Sequence, residues 1–266
     1  MKKYFRNTSF RIGCAILAVL LSLLLMSFVY LPYDPYEMDL SNKFLKPSLT
    51  HWLGTDNFGR DIFSRILKGS QTVFFVGFTA VSAGLVAGLL LGATAGYFGG
   101  AADEIIMRFI DAQMAFPGMI IALVLITVFG AGTLNTALAL GVMSLPRFCR
   151  MTRSGFMQIK ELDYIKAARI RGASHLRIVI LHIFPNIKTN LLVTASLALS
   201  GSVLSEAGLS YLGLGIAPPE PSWGKMLFEA QNYILTQPWY AVIPGCVITL
   251  LALGFNLLGD GIRDVS

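Results

Sequence analysis

The stretch ELDYIKAARIRGASHLRIVILHIFPN, Glu161–Asn186, is a basic segment between two long apolar runs in a chain where charge is scarce. Ala167 and Ala168 lie in a strongly helix-forming sequence. Gly172 can adopt turn conformations that other residues resist, and Ser174–Leu181 can start a second helix. The stretch therefore predicts a helix–turn–helix. Such an insert indicates either a docking site for a soluble partner or a loop that only sets membrane topology.

The composition of the whole chain is that of a membrane protein. The chain has 266 residues, of which 55% are hydrophobic and 14% are charged, whereas soluble domains average about 25% charged residues. At roughly 20 apolar residues per spanning helix, this length allows about five to seven spans. The net charge of +6 indicates basic cytoplasmic loops, which are typical of membrane proteins. It does not indicate a nucleic-acid partner.

Six apolar runs are predicted to span the membrane. With the N-terminus in the cytoplasm, 15 of the 21 Lys and Arg residues fall on the cytoplasmic side, in agreement with the positive-inside rule. We therefore predict an all-α polytopic membrane protein with six transmembrane helices and both termini in the cytoplasm. The predicted spans are Ile12–Leu31, Gly69–Tyr97, Ala112–Phe129, Leu134–Phe148, Leu191–Leu214 and Tyr240–Leu258.

Two parts of the chain are distinguished. Residues 1–68 are predicted as a transmembrane anchor, an extracytoplasmic loop and an interfacial helix, and residues 69–266 as a core of five spans. In the interfacial segment, Thr55 or Asp56 can cap a helix, and Asp61 and Arg65 can pair on its polar face. Such a helix lies flat on the membrane surface, or alternatively is a solvated loop helix. Its apolar positions are Phe58, Ile62, Phe63, Ile66 and Leu67.

Two features predict how the core spans pack. Glycines recur at every fourth position of the second span, which places them on one face and lets another helix approach closely. Chance is the alternative, because glycine is common in membrane helices. A short polar hinge, Gly99–Arg108, precedes the third span, and Pro117 predicts a kink or a cap near the start of that span. The glycines are Gly84, Gly88, Gly92 and Gly96.

Motifs for catalysis, nucleotide binding and metal binding are absent from the sequence. It contains no G-x-x-x-x-G-K-[ST], no H-E-x-x-H and no G-x-S-x-G. The three cysteines show no C-x-x-C spacing, and the three histidines are scattered. We therefore predict that the chain is not an enzyme and holds no cofactor or metal of its own.

The opening stretch resembles the EAA motif of importer permeases of the ATP-binding cassette (ABC) class, written E-A-A-x3-G-x9-I-x-L-P. Four residues are in register with this motif. Three others depart from it, and these are similar to the variant found in peptide and nickel importer permeases. The residues in register are Ala167, Ala168, Gly172 and Pro185, and the departures are Lys166, His182 and Phe184.

Four further stretches resemble the same group of permeases, and together the five span nearly the whole chain from Tyr33 onward. One such motif is weak evidence, whereas five in the same order are strong evidence. The four stretches are HWLGTDNFGRDIFSR (His51–Arg65), AGYFGG (Ala95–Gly100), LSYLGLGIAPPEPSWGKM (Leu209–Met226) and NLLGDGIRD (Asn256–Asp264).

The resemblance implies a permease of the dipeptide, oligopeptide and nickel group of ABC importers, with a type I fold, in the bacterial cytoplasmic membrane. The cytoplasmic loop 155–187 is then the coupling loop, which inserts into a groove on an ATPase subunit. The implied partners are a second homologous permease, two cytoplasmic ATP-binding subunits that carry the ATP and magnesium, an extracytoplasmic substrate-binding protein and membrane lipid. The implied coupling residues are Glu161, Tyr164, Ala167, Ala168, Arg169, Gly172, Ala173, Ser174, Arg177 and Pro185.

Glu206 is a charged residue inside the predicted fifth span, where an ionisable group is costly and usually faces a cavity or a partner. We predict that it lines the translocation path. The alternatives are a structural partner for Ser202 or Ser210, or a site close enough to the outer interface to be wetted. Ser196, Ser200 and Asn190, in or beside the same span, predict hydrogen bonds between helices.

The Pro-rich loop Ala217–Trp223 is predicted as a gate or as a docking surface for the binding protein. The alternative is a spacer in which Trp223 anchors the chain at the membrane interface.

Peptides are the predicted cargo, because no cluster of His or Cys residues is apparent along a path. Nickel or a metal chelate is the alternative within the same family. From a different class, a secondary transporter would need inverted repeats and embedded charges for ion coupling, and the sequence shows no repeat.

Overall fold

The computed structural model describes residues 6–265, and within this range the chain forms ten α-helices and no strand. The predicted all-α fold class is confirmed. One π-helical turn, Val179–Ile183, joins the seventh helix to the eighth. The helices are α1 Thr8–Val29, α2 Ile62–Phe98, α3 Gly100–Met114, α4 Gly118–Phe129, α5 Thr133–Lys160, α6 Asp163–Ile170, α7 His175–Ile178, α8 Phe184–Tyr211, α9 Trp223–Ala230 and α10 Pro238–Val265.

Four helical segments of residues 6–265 are long and apolar enough to cross a membrane. They are α1, α2, α10 and the continuous rod His175–Tyr211 that α7, the π-helical turn and α8 form together. The pair α3 and α4 adds a fifth candidate if its two bent arms count as one span. Helix α5, which contains the predicted fourth span, does not meet the same test, since Arg147, Arg150 and Arg153 follow its apolar first half. The count of six spans and the cytoplasmic location of the termini therefore stay predictions.

The glycine stripe of α2 packs against α5, which confirms the predicted close approach of two helices. A Cβ atom on Gly88 would lie 2.5 Å from Cβ of Phe148, and one on Gly96 would lie 2.7 Å from the carbonyl oxygen of Arg153. Real Cβ contacts are never this short, so only glycine lets the two backbones come this close. This contact is the main helix–helix interface of the core.

The polar stretch predicted as a hinge is instead the first part of helix α3. Its Asp103 carboxylate pairs with the Arg153 guanidinium of α5, which holds the segment against the bundle. The chain then breaks at Ala115–Pro117, and α4 leaves at 87° to α3. Pro117 precedes the first residue of α4, as its cap, because proline has no N–H to continue the previous helix. The predicted effect of Pro117 is confirmed, but the third span is two helices.

The prediction of a flat interfacial helix around Ile62–Leu67 is wrong. Helix α2 begins at Ile62 and runs unbroken to Phe98, so the predicted boundary at residues 68 and 69 lies inside one helix. Its cap is Asp61, whose carboxylate accepts a hydrogen bond from the Ser64 N–H at 2.7 Å, and not Thr55 or Asp56. Ile62 and Ile66 pack into the bundle with Trp223 and Met226 of α9, and Leu67 is fully buried, whereas Phe58 is 36% exposed.

A buried network of ion pairs replaces the predicted pair between Asp61 and Arg65. Nη1 of Arg65 lies 2.6 Å from Oδ2 of Asp56, and Nη2 of Arg65 lies 2.9 Å from Oε2 of Glu229. Arg60 bridges the same two carboxylates, and the Tyr240 hydroxyl donates to Glu229 at 3.3 Å. The network ties the loop before α2 to α9 and α10.

Both ends of the described chain lie at the same end of the bundle. Nδ2 of Asn7 donates a hydrogen bond to Oδ2 of Asp264 at 3.0 Å, and glycines let α1 and α10 approach closely, as at Gly13 and Gly261. The helix–turn–helix of Glu161–Asn186 emerges at this end too, since α5 and α8, which flank it, share a cavity there with Arg263 of α10. We call this the coupling end.

Candidate functional site

The predicted helix–turn–helix is present at the coupling end. Helix α6 ends at Ile170, and the turn that follows places Gly172 at a φ of +81°. No atom lies within 4 Å of the position that a Cβ on Gly172 would take, so the backbone angle and not crowding requires glycine there. Ser174 then caps α7, because its Oγ accepts a hydrogen bond from the Arg177 N–H at 3.3 Å.

The helix–turn–helix, Glu161–Asn186, is called the coupling unit below. One side of the unit is buried in the core and the other side is exposed. Ile165 of α6 and Ile178 of α7 are fully buried in a cluster with Phe156 of α5. On the outer side, Ile170 is 87% exposed and Leu176 is 69% exposed. Exposed apolar side chains of this size, rimmed by basic ones, are typical of a protein-binding surface. The basic residues on the unit are Lys166, Arg169, Arg171 and Arg177.

Three contacts attach the unit, together with Lys160 just before it at the end of α5, to the end of α2. The Tyr97 hydroxyl lies 2.8 Å from Nδ1 of His175, the first residue of α7. The guanidinium of Arg169 lies 5.4 Å from the centroid of the same Tyr97 ring, a cation–π contact. Nζ of Lys160 donates a hydrogen bond to the carbonyl oxygen of Gly96 at 2.8 Å. These contacts place the unit directly against the end of α2.

A second attachment joins the unit to α8 across the π-helical turn. Pro185, in the first turn of α8, has no N–H and would crowd the carbonyl of the residue four before it. The wider turn removes this conflict, and the Phe184 N–H accordingly bonds to the Val179 carbonyl, five residues back. Nδ2 of Asn186 donates to the His182 carbonyl at 2.6 Å and to the Tyr164 hydroxyl at 3.2 Å. The opening of α8 at Pro185 was predicted from the sequence.

The structure brings six of the ten predicted coupling residues around one cavity of about 490 Å³. The other four lie outside its lining. Glu161 is the C-terminal cap of α5, and Arg169 stacks on Tyr97. Ser174 caps α7, and Pro185 lies in the first turn of α8. Two lining residues are additional, Arg171 and His182. The six predicted residues that line the cavity are Tyr164, Ala167, Ala168, Gly172, Ala173 and Arg177.

Tyr97 lies outside the predicted coupling loop 155–187, whereas Lys160 and His175 lie inside that loop without being among its predicted coupling residues. Tyr97 stands 78 positions before His175, so no local pattern links the two. The sequence did mark Tyr97 in another way, because it belongs to AGYFGG, one of the stretches that carry the family resemblance.

Glu206 lies toward the opposite end of α8 and is 1% exposed. Its Oε1 accepts a hydrogen bond from the Ser210 hydroxyl at 2.8 Å, and Ser210 in turn accepts from the Ile216 N–H at 3.2 Å. Its Oε2 has no hydrogen-bond partner among the described atoms, although the Ser222 hydroxyl is a close polar neighbour. The hydrogen bond between Glu206 and Ser210 agrees with the alternative that Glu206 is a structural partner of Ser210. A role for Glu206 in the translocation path stays a prediction.

Ser196 and Ser200 of this helix make the predicted bonds between helices, whereas the side chain of Asn190 makes no hydrogen bond among residues 6–265, so the prediction for Asn190 is wrong. Oγ of Ser196 donates to the carbonyl of Phe255 at 2.6 Å, and Oγ of Ser200 donates to the carbonyl of Ala252 at 3.0 Å. Both bonds join α8 to α10.

The Pro-rich loop is fixed at both of its sides. Trp223 is 1% exposed, and its Nε1 donates to the carbonyl of Ile66 at 3.0 Å, so the predicted alternative of an interfacial Trp anchor is wrong. The Tyr36 hydroxyl donates to Oε2 of Glu220 at 3.1 Å. Burial, and then the bond to Glu220, raises the pKa of Tyr36 to about 12.

Residues 62–265 match the family described as "Binding-protein-dependent transport system inner membrane component". The chain is 38% identical over 252 residues to a probable D,D-dipeptide transport system permease of Escherichia coli K12, covering 93% of this chain and 85% of the relative. It is 41% identical over 258 residues to a glutathione transport system permease of Pectobacterium atrosepticum, covering 94% and 85%.

A nickel transport system permease of E. coli K12 is 36% identical over 256 residues, covering 96% of this chain and 92% of the relative. Among solved structures, the inward-facing MetNI methionine ABC transporter aligns with a TM-score of 0.62 at 19% identity, covering 76% of this chain and 96% of that chain. At this identity the likeness concerns the fold alone.

Proposed function

Since the chain belongs to the binding-protein-dependent transport system inner-membrane components, we propose that it forms half of the path through which an ATP-driven importer moves peptides. The family resemblance carried by the five motifs is confirmed, as is the type I permease-like fold. The chain is a transport permease of a bacterial membrane. The cargo, the set of partners and the coupling residues belong to the proposal.

The helix–turn–helix at the coupling end carries the proposal. Its buried side is joined to α2 and α8, and its other side exposes Ile170 and Leu176 beside Arg171 and Arg177. The other two basic residues have partners, since Lys166 pairs with Glu161 and Asp163 and Arg169 contacts Tyr97. We propose that this side sits in a groove on an ATP-binding subunit, which carries the ATP and magnesium. ATP binding favours one state of the importer only through contacts that differ between states, and these contacts are made here.

Transmission to the membrane follows from the two attachments. Helix α7, the π-helical turn and α8 form one continuous rod, and Tyr97 joins the start of this rod to the end of α2. A tilt of the coupling unit therefore tilts both long helices together, as in rigid-body switching between states. The complete importer requires a second homologous permease, two ATP-binding subunits and an extracytoplasmic binding protein.

Peptides are the proposed cargo, and the relatives named for dipeptide and glutathione transport support this choice. Nickel is the second candidate cargo, because a relative of comparable sequence identity, 36%, is named for nickel transport.

Uptake by the reconstituted importer tests the proposal. The chain is assembled in vesicles with the permease, ATPase and binding-protein subunits encoded beside it, and uptake of labelled di- and tripeptides is compared with uptake of ⁶³Ni²⁺. We expect peptide uptake that requires ATP and stops when the ATPase active site is inactivated. Uptake driven by an ion gradient without ATP would indicate a secondary transporter, and uptake of nickel alone would replace the peptide assignment.

A further inference from the structure

A second cavity at the coupling end lies between α5, α8 and α10, apart from the helix–turn–helix. Its volume is about 400 Å³. Polar side chains from all three helices face it, in a bundle whose surface is otherwise mostly apolar. The polar lining residues are Ser154, Gln158, Asn190, Thr194 and Arg263.

The chemistry of this lining is one cation among neutral hydrogen-bonding groups. None of the described residues that line it carries a carboxylate. The side chains of Gln158, Asn190 and Arg263 make no hydrogen bond or ion pair to any other residue within 6–265. Two acids flank Arg263 on α10: Asp264 accepts a hydrogen bond from Asn7, and Asp260, one turn earlier, forms no ion pair with Arg263 among residues 6–265. The guanidinium and the amide groups are therefore free to bind a ligand.

Asn190 and Thr194, which line the cavity, begin a face of α8 that runs toward the opposite end of the bundle. Positions spaced four, seven, four and three residues apart share this face of an α-helix. Asn190 is exposed and the other positions are partly buried. At Gly201 no atom lies within 4 Å of where a Cβ would stand, whereas at Gly208 the Met119 side chain lies 3.1 Å from that position. The face is small and polar, whereas Glu206 lies on the buried side. Its residues are Asn190, Thr194, Gly201, Ser205 and Gly208.

We infer that this cavity is the cytoplasmic mouth of the chain's half-path, and that Arg263 binds the terminal carboxylate of a departing peptide while Gln158 and Asn190 meet its amide groups. The inference rests on the proposed function. A guanidinium matches a carboxylate in charge and shape, and it repels a free divalent cation. Because the cavity is open to water, the ion pair is weak, which suits a site that the cargo must leave.

Photo-cross-linking tests the inference on the complete permease–ATPase complex in lipid nanodiscs without the binding protein. The probe is a labelled dipeptide with a photoreactive C-terminal residue, used as the free acid and as the C-terminal amide. We expect the free acid to label the segments around Gln158, Asn190 and Arg263. Arg263→Gln should lower that labelling about two- to fivefold, the range of an exposed ion pair, and leave the amide unchanged.

Two further variants complete the test. Arg263→Lys keeps the charge and should retain most of the labelling, which separates a loss of charge from a loss of folding. Arg108→Gln, on α3 and outside the cavity lining, is the matched control and should change nothing.

Equal labelling by the acid and the amide, or labelling outside the cavity, overturns the inference. So does an effect of Arg263→Gln that disappears in nanodiscs without phosphatidylglycerol, because this would assign the cavity to a lipid headgroup. These outcomes leave the proposed function standing if the wild-type importer takes up peptides. Absence of peptide uptake by the wild-type importer would contradict both the inference and the proposed function.

Discussion

The hydroxyl of Tyr97, at the end of α2, lies 2.8 Å from Nδ1 of His175, the first residue of α7. It is a direct side-chain bond from the coupling unit to a transmembrane helix that is remote in sequence. Tyr97 is 6% exposed, so water does not readily replace the bond. If the unit moves with its ATPase, this bond is one route by which the movement reaches the membrane.

Replacing Tyr97 by Phe keeps the ring and the Arg169 contact but removes the bond to His175. A hydrogen bond of this kind contributes about 1 kcal/mol, so we expect roughly a fivefold loss in coupling. The measurement is the ratio of peptide imported to ATP hydrolysed in vesicles. Tyr211→Phe, on an exposed tyrosine without a side-chain hydrogen bond among residues 6–265, is the control. An unchanged ratio for Tyr97→Phe would show that the bond transmits nothing.

Gly172→Val should uncouple ATP hydrolysis from uptake while the protein remains in the membrane. The φ of +81° costs a side-chain-bearing residue on the order of 1–2 kcal/mol, and a β-branched residue tolerates it least. Gly172→Asn is the matched control, because asparagine accepts positive φ. Uptake and ATPase activity are measured together with the amount of membrane-inserted protein. Full uptake by Gly172→Val would contradict the coupling-loop assignment.

Gly88→Ala should destabilise the bundle by about 1–3 kcal/mol, the usual cost of overpacking. The added methyl group would meet Cβ of Phe148 at 2.5 Å. Gly201→Ala enters open space and should be neutral or slightly stabilising, because alanine favours a helix more than glycine does. Thermal unfolding of the purified complex measures the change in stability of each variant. Equal Tm changes in the two variants would argue against a tight contact between α2 and α5.

Glu206→Ala should lower the stability and the amount of assembled protein, because Ser210 then loses its acceptor in a buried site at a cost of about 1–3 kcal/mol. Glu206→Gln retains an oxygen acceptor and should assemble normally. Measuring peptide uptake per assembled complex distinguishes a structural role of Glu206 from a role in the translocation path. If Glu206→Gln assembles normally but alters peptide uptake, Glu206 acts on the path instead.

Arg65→Met should destabilise the end of the bundle opposite the coupling end by about 3–5 kcal/mol, because it leaves part of a buried ion network unpaired. Arg65 contacts both Asp56 and Glu229 and is 1% exposed. Arg108→Met breaks an exposed pair with Glu104 and should cost about 0–1 kcal/mol. The comparison of Tm values for the two variants is the test, and similar values would mean that the buried network contributes little.

Much of the coupling site was predictable from the sequence, since it depends on neighbouring residues. The helix formers of α6, the glycine turn and the restart of a helix after Ser174 depend on residues within a few positions, and the structure has all three where they were predicted. The cap by Ser174 itself was not predicted. The stripe of four glycines also predicted a close contact correctly, because the spacing alone puts the residues on one helix face. It did not identify α5 as the other helix.

Where the prediction from the sequence is wrong, two local structures were possible and packing chose between them. The amphipathic segment at Ile62 suits a surface helix as well as the start of a buried one. Trp223 suits a membrane interface as well as a core. Both became buried because α9 folds back over α2, a contact between positions 157 apart in the chain.

The sequence by itself determined the membrane class, the family, the helix–turn–helix and the position of its turn, because propensity, periodicity and motif register are properties of nearby residues. Only the tertiary structure decided that Arg65 pairs with Glu229, that Tyr97 meets His175, and that Glu206 faces inward while Asn190 faces a cavity. These relationships depend on how long helices rotate and pack against one another. Side chains that are far apart in the chain fix that rotation together.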